Sequence, residues 1–343
     1  MLSNIVFIGN IASPLAIERF SMLKNQAIND IYFYDRSNII IYDHNFNIIV
    51  KGKNKHFFHI TSFLYLIFFI FKYRINILHF HGVSVQLLAL LALIPSLKIV
   101  ATPQGSDINQ NYKGKNKIFT SILLKKADKI TVKSLAMKKR VNEITYNNKI
   151  NILNWGLNNV FYENNPLNKG ENIYILSPRS NKNNYNIVTI FEAVKEIKSY
   201  YSNVKFVYVS LHKDNDKLLD LSIADEIYYN LMPQEMKKLY LKSDFMISIP
   251  TNDGFSTSIM EALVCECLPI ISNINSYDEL PSGYQDVFKI NQPYSENLVS
   301  ILKELINNIN NVRNNSKVRK NKYAIAYSKE SQSLILKKIY KNL

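Results

Sequence analysis

The stretch Ile247-Ser248-Ile249-Pro250-Thr251-Asn252-Asp253-Gly254-Phe255-Ser256-Thr257-Ser258-Ile259-Met260-Glu261-Ala262-Leu263 decides how this chain is read. It begins as a buried strand, turns at Asp253-Gly254 and continues from about Ser256 as a helix. A helix starting at a strand tip presents its first free backbone N–H groups and the positive end of its dipole to whatever lies above the sheet, so an anion belongs there. Glu261 stands five residues into the helix and, at about 1.5 Å per residue, lies about 7 Å along the axis. That is the reach from a diphosphate to a ribose. Thr257 and Ser258 precede Glu261 by one turn on the same face, which therefore carries hydroxyls and a carboxylate instead of a continuous apolar stripe. Standing alone, the segment also reads as an ordinary amphipathic helix capped by Ser256.

Outward from this segment, strand-like apolar runs alternate with helical segments, the pattern of a doubly wound parallel α/β sheet, and the pattern occurs twice. In the first half it predicts strands near 4–9, 31–34, 38–42, 76–80, 97–102, 129–133 and 150–153, with helices notably at 61–73, 83–94, 115–127 and 134–145. In the second half it predicts strands near 173–177, 204–209, 225–229, 244–249, 268–272 and 287–290, with helices near 186–200, 234–242, 256–266 and 295–310. At 343 residues the chain exceeds what one hydrophobic core usually organises. The expected division is a first Rossmann-like domain at 1–157, a polar linker at 158–172, a second Rossmann-like domain at 173–325, and a C-terminal amphipathic helix within 326–343.

Hydrophobic residues make up 47% of the chain, ample for folded cores, and the formal charge is +15. That charge attracts anions of several kinds: nucleic acid, acidic lipid headgroups, or phosphorylated substrates. The lysines are scattered among Asn, Ile and Tyr, and no zinc-finger, homeodomain or RNA-motif pattern accompanies them, so nucleic acid is not the expected partner. Cys265 and Cys267 sit two apart at a helix end and face different ways, which implies neither a disulfide nor a metal pair. Residues 1–10 lack the leader pattern of a signal peptide and read as a first buried strand. The most apolar window, Phe63 to Phe71, is followed by Lys72 and Arg74. Too short to span a bilayer, it reads either as a helix buried on both sides or as one whose aromatic face dips into an anionic membrane surface.

Asp253 and Glu261 match the acid-x7-acid motif of the retaining family 4 glycosyltransferases (glycosyl transferases group 1), and Pro250, Asp253-Gly254, Ser258 and Glu261-Ala262 resemble a branch of them that builds bacterial surface polysaccharides. The resemblance extends in order along the chain through His79-Phe80-His81-Gly82, Thr102-Pro103-Gln104-Gly105-Ser106-Asp107-Ile108, Ala127-Asp128-Lys129-Ile130 with Ser134, Asn154-Trp155-Gly156-Leu157-Asn158, and Leu176-Ser177-Pro178-Arg179 with Tyr185-Asn186. It implies the GT-B fold, with two Rossmann-like doubly wound domains facing a central cleft, and a final helix crossing back to the first domain.

Such a transferase must neutralise a leaving diphosphate, position the anomeric carbon and admit an acceptor hydroxyl while excluding water. A guanidinium can bridge phosphate oxygens in a forked geometry, and the resemblance gives that role to Arg179. Lys182 is a candidate second cation, although in most relatives the lysine sits a little further on. Backbone N–H groups around Gly254, Phe255 and Ser256 complete the expected phosphate cradle, with Thr257 on the same helix and Gly254 permitting close approach. Glu261 resembles the acid that accepts hydrogen bonds from ribose hydroxyls, and Asp253 the acid near the transferred sugar, where most relatives carry Glu. Gly9 resembles the glycine turn that lets the opposing domain approach the phosphates.

Gln104 departs from the family's Thr-x-His-Gly-x-Asp pattern. Glutamine cannot act as a base but can hydrogen-bond sugar hydroxyls, which suffices if the departing phosphate itself takes the acceptor proton. Asp107 is then the nearer acid in the first domain, or simply the cap of the turn after its strand. His79 and His81 end a strand and are expected to face opposite sides of the sheet, either reaching a substrate hydroxyl on the acceptor side or buried and hydrogen-bonded. Asp214-Asn215-Asp216 superficially fits a metal signature but reads as a solvated turn, so no metal or other cofactor is expected beyond the nucleotide diphosphate sugar as co-substrate.

The expected protein is a retaining, metal-independent hexosyltransferase at the cytoplasmic face of the plasma membrane, taking a nucleotide sugar as donor and a lipid-linked glycan as acceptor. A sugar-nucleotide epimerase or hydrolase on the same fold, and a non-catalytic nucleotide-binding partner protein, are the alternatives.

Overall fold

The computed structural model describes the chain except residues 1–3, 12, 25–29, 36–39, 44, 46, 52–57, 83–93, 106, 110–111, 147–148, 164–168, 212 and 214–218. It divides into two compact units, residues 1–156 with 329–343 and residues 157–328.

The first unit is built on an eight-stranded sheet in the order β4-β3-β2-β1-β5-β6-β7-β8. Its strands are β1 (Ile5–Gly9), β2 (Ile31–Asp35), β3 (Ile40–Tyr42), β4 (Ile48–Lys51), β5 (Ile77–His81), β6 (Lys98–Thr102), β7 (Lys129–Val132) and β8 (Ile150–Ile152). The central strands are apolar runs buried on both faces, as parallel strands covered by helices must be. The sheet is not wholly parallel: β3 pairs antiparallel with both β2 and β4, a hairpin edge not expected from the sequence. Asp43 makes its turn, its carboxylate accepting the N–H groups of Asn45 and Asn47 at 2.8 and 2.9 Å.

Helices α1 (Pro14–Lys24) and α2 (Phe58–Lys72) are followed, among the described residues, by α3 (Gly114–Lys126) and α4 (Leu135–Thr145). The helix expected at 83–94 falls almost wholly outside the described residues. The chain returns to this unit through its last helix, Lys329–Lys341, which packs with α1: Leu336 and Ile339 join Ala16, Phe20 and Leu23 beneath Phe7 and Phe33.

Helix α2 is not buried on both sides. Leu66, Phe69 and Ile70 enter the core with α3 and α4, whereas Leu64, Phe68 and Phe71 are 59%, 60% and 67% exposed. The run is apolar all round, so its periodicity could not say which face the sheet would take.

The second unit holds a six-stranded, wholly parallel sheet in the order β11-β10-β9-β12-β13-β14. Its strands are β9 (Ile173–Ser177), β10 (Val204–Ser210), β11 (Glu226–Tyr229), β12 (Phe245–Ser248), β13 (Leu268–Ser272) and β14 (Phe288–Ile290). Helices α5 (Ile187–Tyr200), α6 (Pro233–Lys242), α7 (Thr257–Val264), α8 (Tyr294–Asn307), α9 (Ile309–Asn314) and α10 (Ser316–Ala324) surround it, and the last in the chain is α11 (Lys329–Lys341) of the first unit. The front of the expected linker is structured: Asn159–Tyr162 form a short 3-10 turn whose Val160 and Phe161 are buried with α6 and α7. Apolar spacing needs more than four residues to declare itself, and this turn has no more. Cys265 and Cys267 are free and buried.

In each sheet the chain adds strands on one side of its first strand and then crosses to the other. That reversal falls between β1 and β5 in the first unit and between β9 and β12 in the second. In open α/β sheets, ligands bind beyond the strand carboxyl ends at this switch point.

Candidate active site

At the second switch point, the segments leaving β9 and β12 bring Arg179, Asp253 and Ser256 together. Arg179 Nη2 donates to Asp253 Oδ2 at 3.1 Å and also to Ser256 Oγ. The guanidinium lies over the Tyr185 ring, 4.8 Å from its centroid. Ser256 is the N-cap of α7, yet its side chain makes no cap bond because Arg179 occupies the hydroxyl. The first turn of α7 is thus left without its usual side-chain acceptor. Arg179 Nε is buried and has no hydrogen-bond partner among the described residues. Burial pulls the Arg179 pKa down, but Asp253 and then Tyr185, Tyr277 and Tyr240 outweigh it, so the net shift is upward and the cation is secure.

Asp253 is held from several sides. Tyr277 donates its hydroxyl to Oδ2 at 2.9 Å, the N–H of Gly254 donates to Oδ1 at 2.6 Å, and Ser276 Oγ donates to the Asp253 carbonyl. Glu261 lies one turn into α7 and accepts the Tyr240 hydroxyl at 3.1 Å. Burial pushes the Glu261 carboxyl up to about 7, while the Tyr240 hydrogen bond and the Arg179 charge pull it down. Tyr240 and Tyr277 are themselves raised well above the usual phenol range by burial, and so remain donors.

The backbone conformation rare for side-chain residues falls on Phe255, with φ of 125°, and not on Gly254. Its ring is buried beside Tyr277 and Tyr327 at 6.1 and 6.2 Å, so packing holds a backbone shape that glycine would adopt freely. Thr257 is half-buried at the start of α7. The loop after β12 is tied to residues 183–186: Asn184 accepts from Thr251 Oγ1 at 2.7 Å and donates to the Asn252 carbonyl at 2.7 Å, and Asn186 donates to the Ile249 carbonyl at 2.7 Å. Lys182 does not join the group. It is exposed and makes no ion pair among the described residues.

Tyr185 falls within the pattern that resembled the family, but Tyr240, Ser276, Tyr277 and Asn184 carried no sequence signal. They arrive from separate elements, and no fixed spacing to Arg179 or Asp253 marks them.

The candidates of the first unit are engaged in its own structure. His79 and His81 share one face of β5, against the expectation of opposite faces, because side chains two apart on a strand point the same way. Both rings lie against Phe7, with centroids 4.9 and 5.7 Å away. His79 is fully buried, with Nε2 bonded to Thr102 Oγ1 at 2.8 Å and Nδ1 to the Tyr340 hydroxyl. Burial, then Arg19 and His81, hold its pKa well below the usual histidine value. Gly9 is the last residue of β1 and not a turn; a Cβ there would meet Phe7, Ala16 and Phe33 at 3.1–3.3 Å, so its missing side chain serves packing. Asp107 Oδ2 accepts the Gln104 N–H at 3.1 Å, and Gln104 Nε2 donates to the Thr102 carbonyl at 3.0 Å. Asp107 thus closes its own turn.

No group of three or more His, Cys, Asp and Glu placed to hold a metal occurs among the described residues, and Asp214-Asn215-Asp216 lies outside them.

The chain has the two-unit α/β architecture of the GT-B fold. The family model for glycosyl transferases group 1 matches residues 160–324. Among solved structures, HepE of Anabaena in complex with UDP-glucose has a TM-score of 0.79 at 12% identity, covering 99% of this chain and 100% of that one. Sucrose-phosphate synthase from Thermosynechococcus elongatus has a TM-score of 0.77 at 11% identity, covering 99% and 98%. A glycosyltransferase from Rickettsia africae has a TM-score of 0.74 at 15% identity, covering 100% of both chains. No match is found among curated proteins.

Proposed function

We propose that this protein is a retaining glycosyltransferase of family 4 type that moves a hexose from a nucleotide diphosphate sugar to a lipid-linked glycan in surface-polysaccharide synthesis, without a metal. The observation that carries it is the convergence of Arg179, Ser256 and the start of α7 on one switch point, with Asp253 and Glu261 on either side. Arg179 and the first N–H groups of α7 neutralise the leaving diphosphate, a charge a metal would otherwise have to offset. Glu261 accepts hydrogen bonds from the ribose, and Asp253 faces the sugar near the developing positive charge. The bond from the anomeric carbon to the diphosphate oxygen breaks, a bond to the acceptor oxygen forms on the same face, and the acceptor proton passes to the departing phosphate. Gln104 is not required as a base in that scheme.

Support for a membrane-bound acceptor comes from the outer faces of α2 and α3. Leu64, Phe68 and Phe71 are exposed beside Lys72, and Ile118 and Ile122 are exposed on α3, which carries Lys115, Lys117, Lys125 and Lys126 and no acid. Exposed apolar side chains on each helix, set among lysines that make no ion pair among the described residues, suit an anionic bilayer surface. No helix among the described residues is long and apolar enough to cross a membrane.

The test is a screen of nucleotide sugars for thermal stabilisation, followed by release of the free nucleoside diphosphate with membrane extract as acceptor. UDP-glucose leads the panel because HepE of Anabaena was solved with it. Stabilisation and acceptor-dependent release are expected. Equally fast release without acceptor would favour the hydrolase reading.

A further inference from the structure

We infer that Asp253 latches Arg179 until the donor arrives, and that Tyr277 is the positioning residue that keeps Asp253 in place once the diphosphate has taken Arg179 over. This rests on the transferase reading above and adds an order of events to it. A single carboxylate oxygen, Asp253 Oδ2, accepts both Arg179 Nη2 at 3.1 Å and the Tyr277 hydroxyl at 2.9 Å, while Oδ1 is taken by the N–H of Gly254 at 2.6 Å. Both lone pairs of Oδ2 are thus taken, and that oxygen must give up a partner before it can accept a sugar hydroxyl; only one site on Oδ1 stays open.

The Arg179 and Asp253 side chains are only 17% and 19% exposed, so neither charge can lose its partner without a replacement. A diphosphate offers Arg179 more charge and more oxygens than one carboxylate does, and the unpaired Nε is a donor already waiting for such a ligand. When Arg179 leaves, Asp253 retains Tyr277, whose phenol burial keeps protonated, and its freed lone pairs turn to the sugar. The latch thus frees Oδ2 of the sugar-binding acid when a diphosphate is seated.

Two substitutions should move binding in opposite directions. Asp253→Asn removes the competing charge, so UDP, with GDP and ADP titrated in parallel, should bind about threefold to tenfold tighter than to the wild type by calorimetry. Tyr277→Phe leaves Oδ2 of Asp253 with Arg179 alone, so the same diphosphate should bind about threefold weaker, and kcat should fall about tenfold with a smaller change in the acceptor KM. Loss of structure would weaken both variants alike, so a shift of both in one direction overturns the latch. Unchanged or weaker binding in Asp253→Asn also overturns it, and if that variant does not fold, unchanged binding in Tyr277→Phe does so alone. Binding of none of the three diphosphates to the wild type would instead remove the transferase reading itself.

Discussion

The two switch points of this molecule share a topology and differ in what fills them. Between β1 and β5, Gly9 lies under Phe7 and Phe33, and His79 is consumed by Thr102 and by Tyr340 of α11. Between β9 and β12, Arg179 and Asp253 stand at partial exposure beside the buried Ser256, with one guanidinium N–H unpartnered among the described residues. The first is a site closed by its own unit, in which polar groups serve stability. The second is a largely buried ion pair with one guanidinium N–H unpartnered among the described residues. Topology therefore nominates a place for chemistry, and the side chains at the strand ends decide whether chemistry is there.

The sharpest way to break this contrast is Arg179→Ala, which should lower turnover about 10²- to 10³-fold, the effect of deleting one preorganised charge at a leaving group; turnover within a factor of two of wild type would show that the seat lies elsewhere. His79→Phe should act on the opposite ledger. It orphans the Tyr340 hydroxyl and leaves Thr102 with Thr131 alone, and should reduce unfolding free energy in urea by about 1–3 kcal/mol, while UDP affinity of the second unit stays unchanged.

Glu261 offers a pH test. Its carboxyl is pushed up to about 7 from an ordinary 4.5, so the folded state holds a proton that the unfolded chain releases. Stability contributed by that proton is present below the unfolded pKa and is lost as pH rises toward 7. Relative to Glu261→Gln, wild-type stability in urea should therefore fall by about 2 kcal/mol between about pH 5 and pH 8. Over the same interval nucleotide affinity should climb up to about tenfold, because ribose hydroxyls donate to the ionised form, and Glu261→Gln should flatten that rise. The smallest effect belongs to Lys182→Ala. An exposed lysine without an ion pair should change donor KM by no more than about twofold, and a tenfold change would move the second cation into the site.

Much of the second unit was legible beforehand. Its strands carry continuous Val, Ile and Phe runs, each closed by polar turn residues, and the Asp253 to Glu261 segment announces a strand, a turn and a helix within one short stretch. Arg179 could be named because it follows a strand within the Leu176-Ser177-Pro178-Arg179 segment that resembles the family. The first unit read less well. Helix α1 and strand β4 were missed, and although β3 was expected within 38–42, its antiparallel pairing was not, since three and four residues show almost no alternation. The exposed face of α2 was equally hidden, because every residue from Phe63 to Phe71 is apolar and pattern alone assigns no inside. Tyr277 and Tyr240 lie 24 and 21 residues from the acids they serve and reach them only through the fold.

By itself, the sequence determined the repeated α/β pattern and where helix α7 begins, because hydrophobic period and turn chemistry act over a few neighbouring residues. Only the tertiary structure decided which polar groups would be consumed internally and which would face a ligand. Whether a histidine meets a tyrosine from the last helix, or an arginine keeps a spare N–H, depends on contacts across dozens or hundreds of residues, and local pattern carries no record of them.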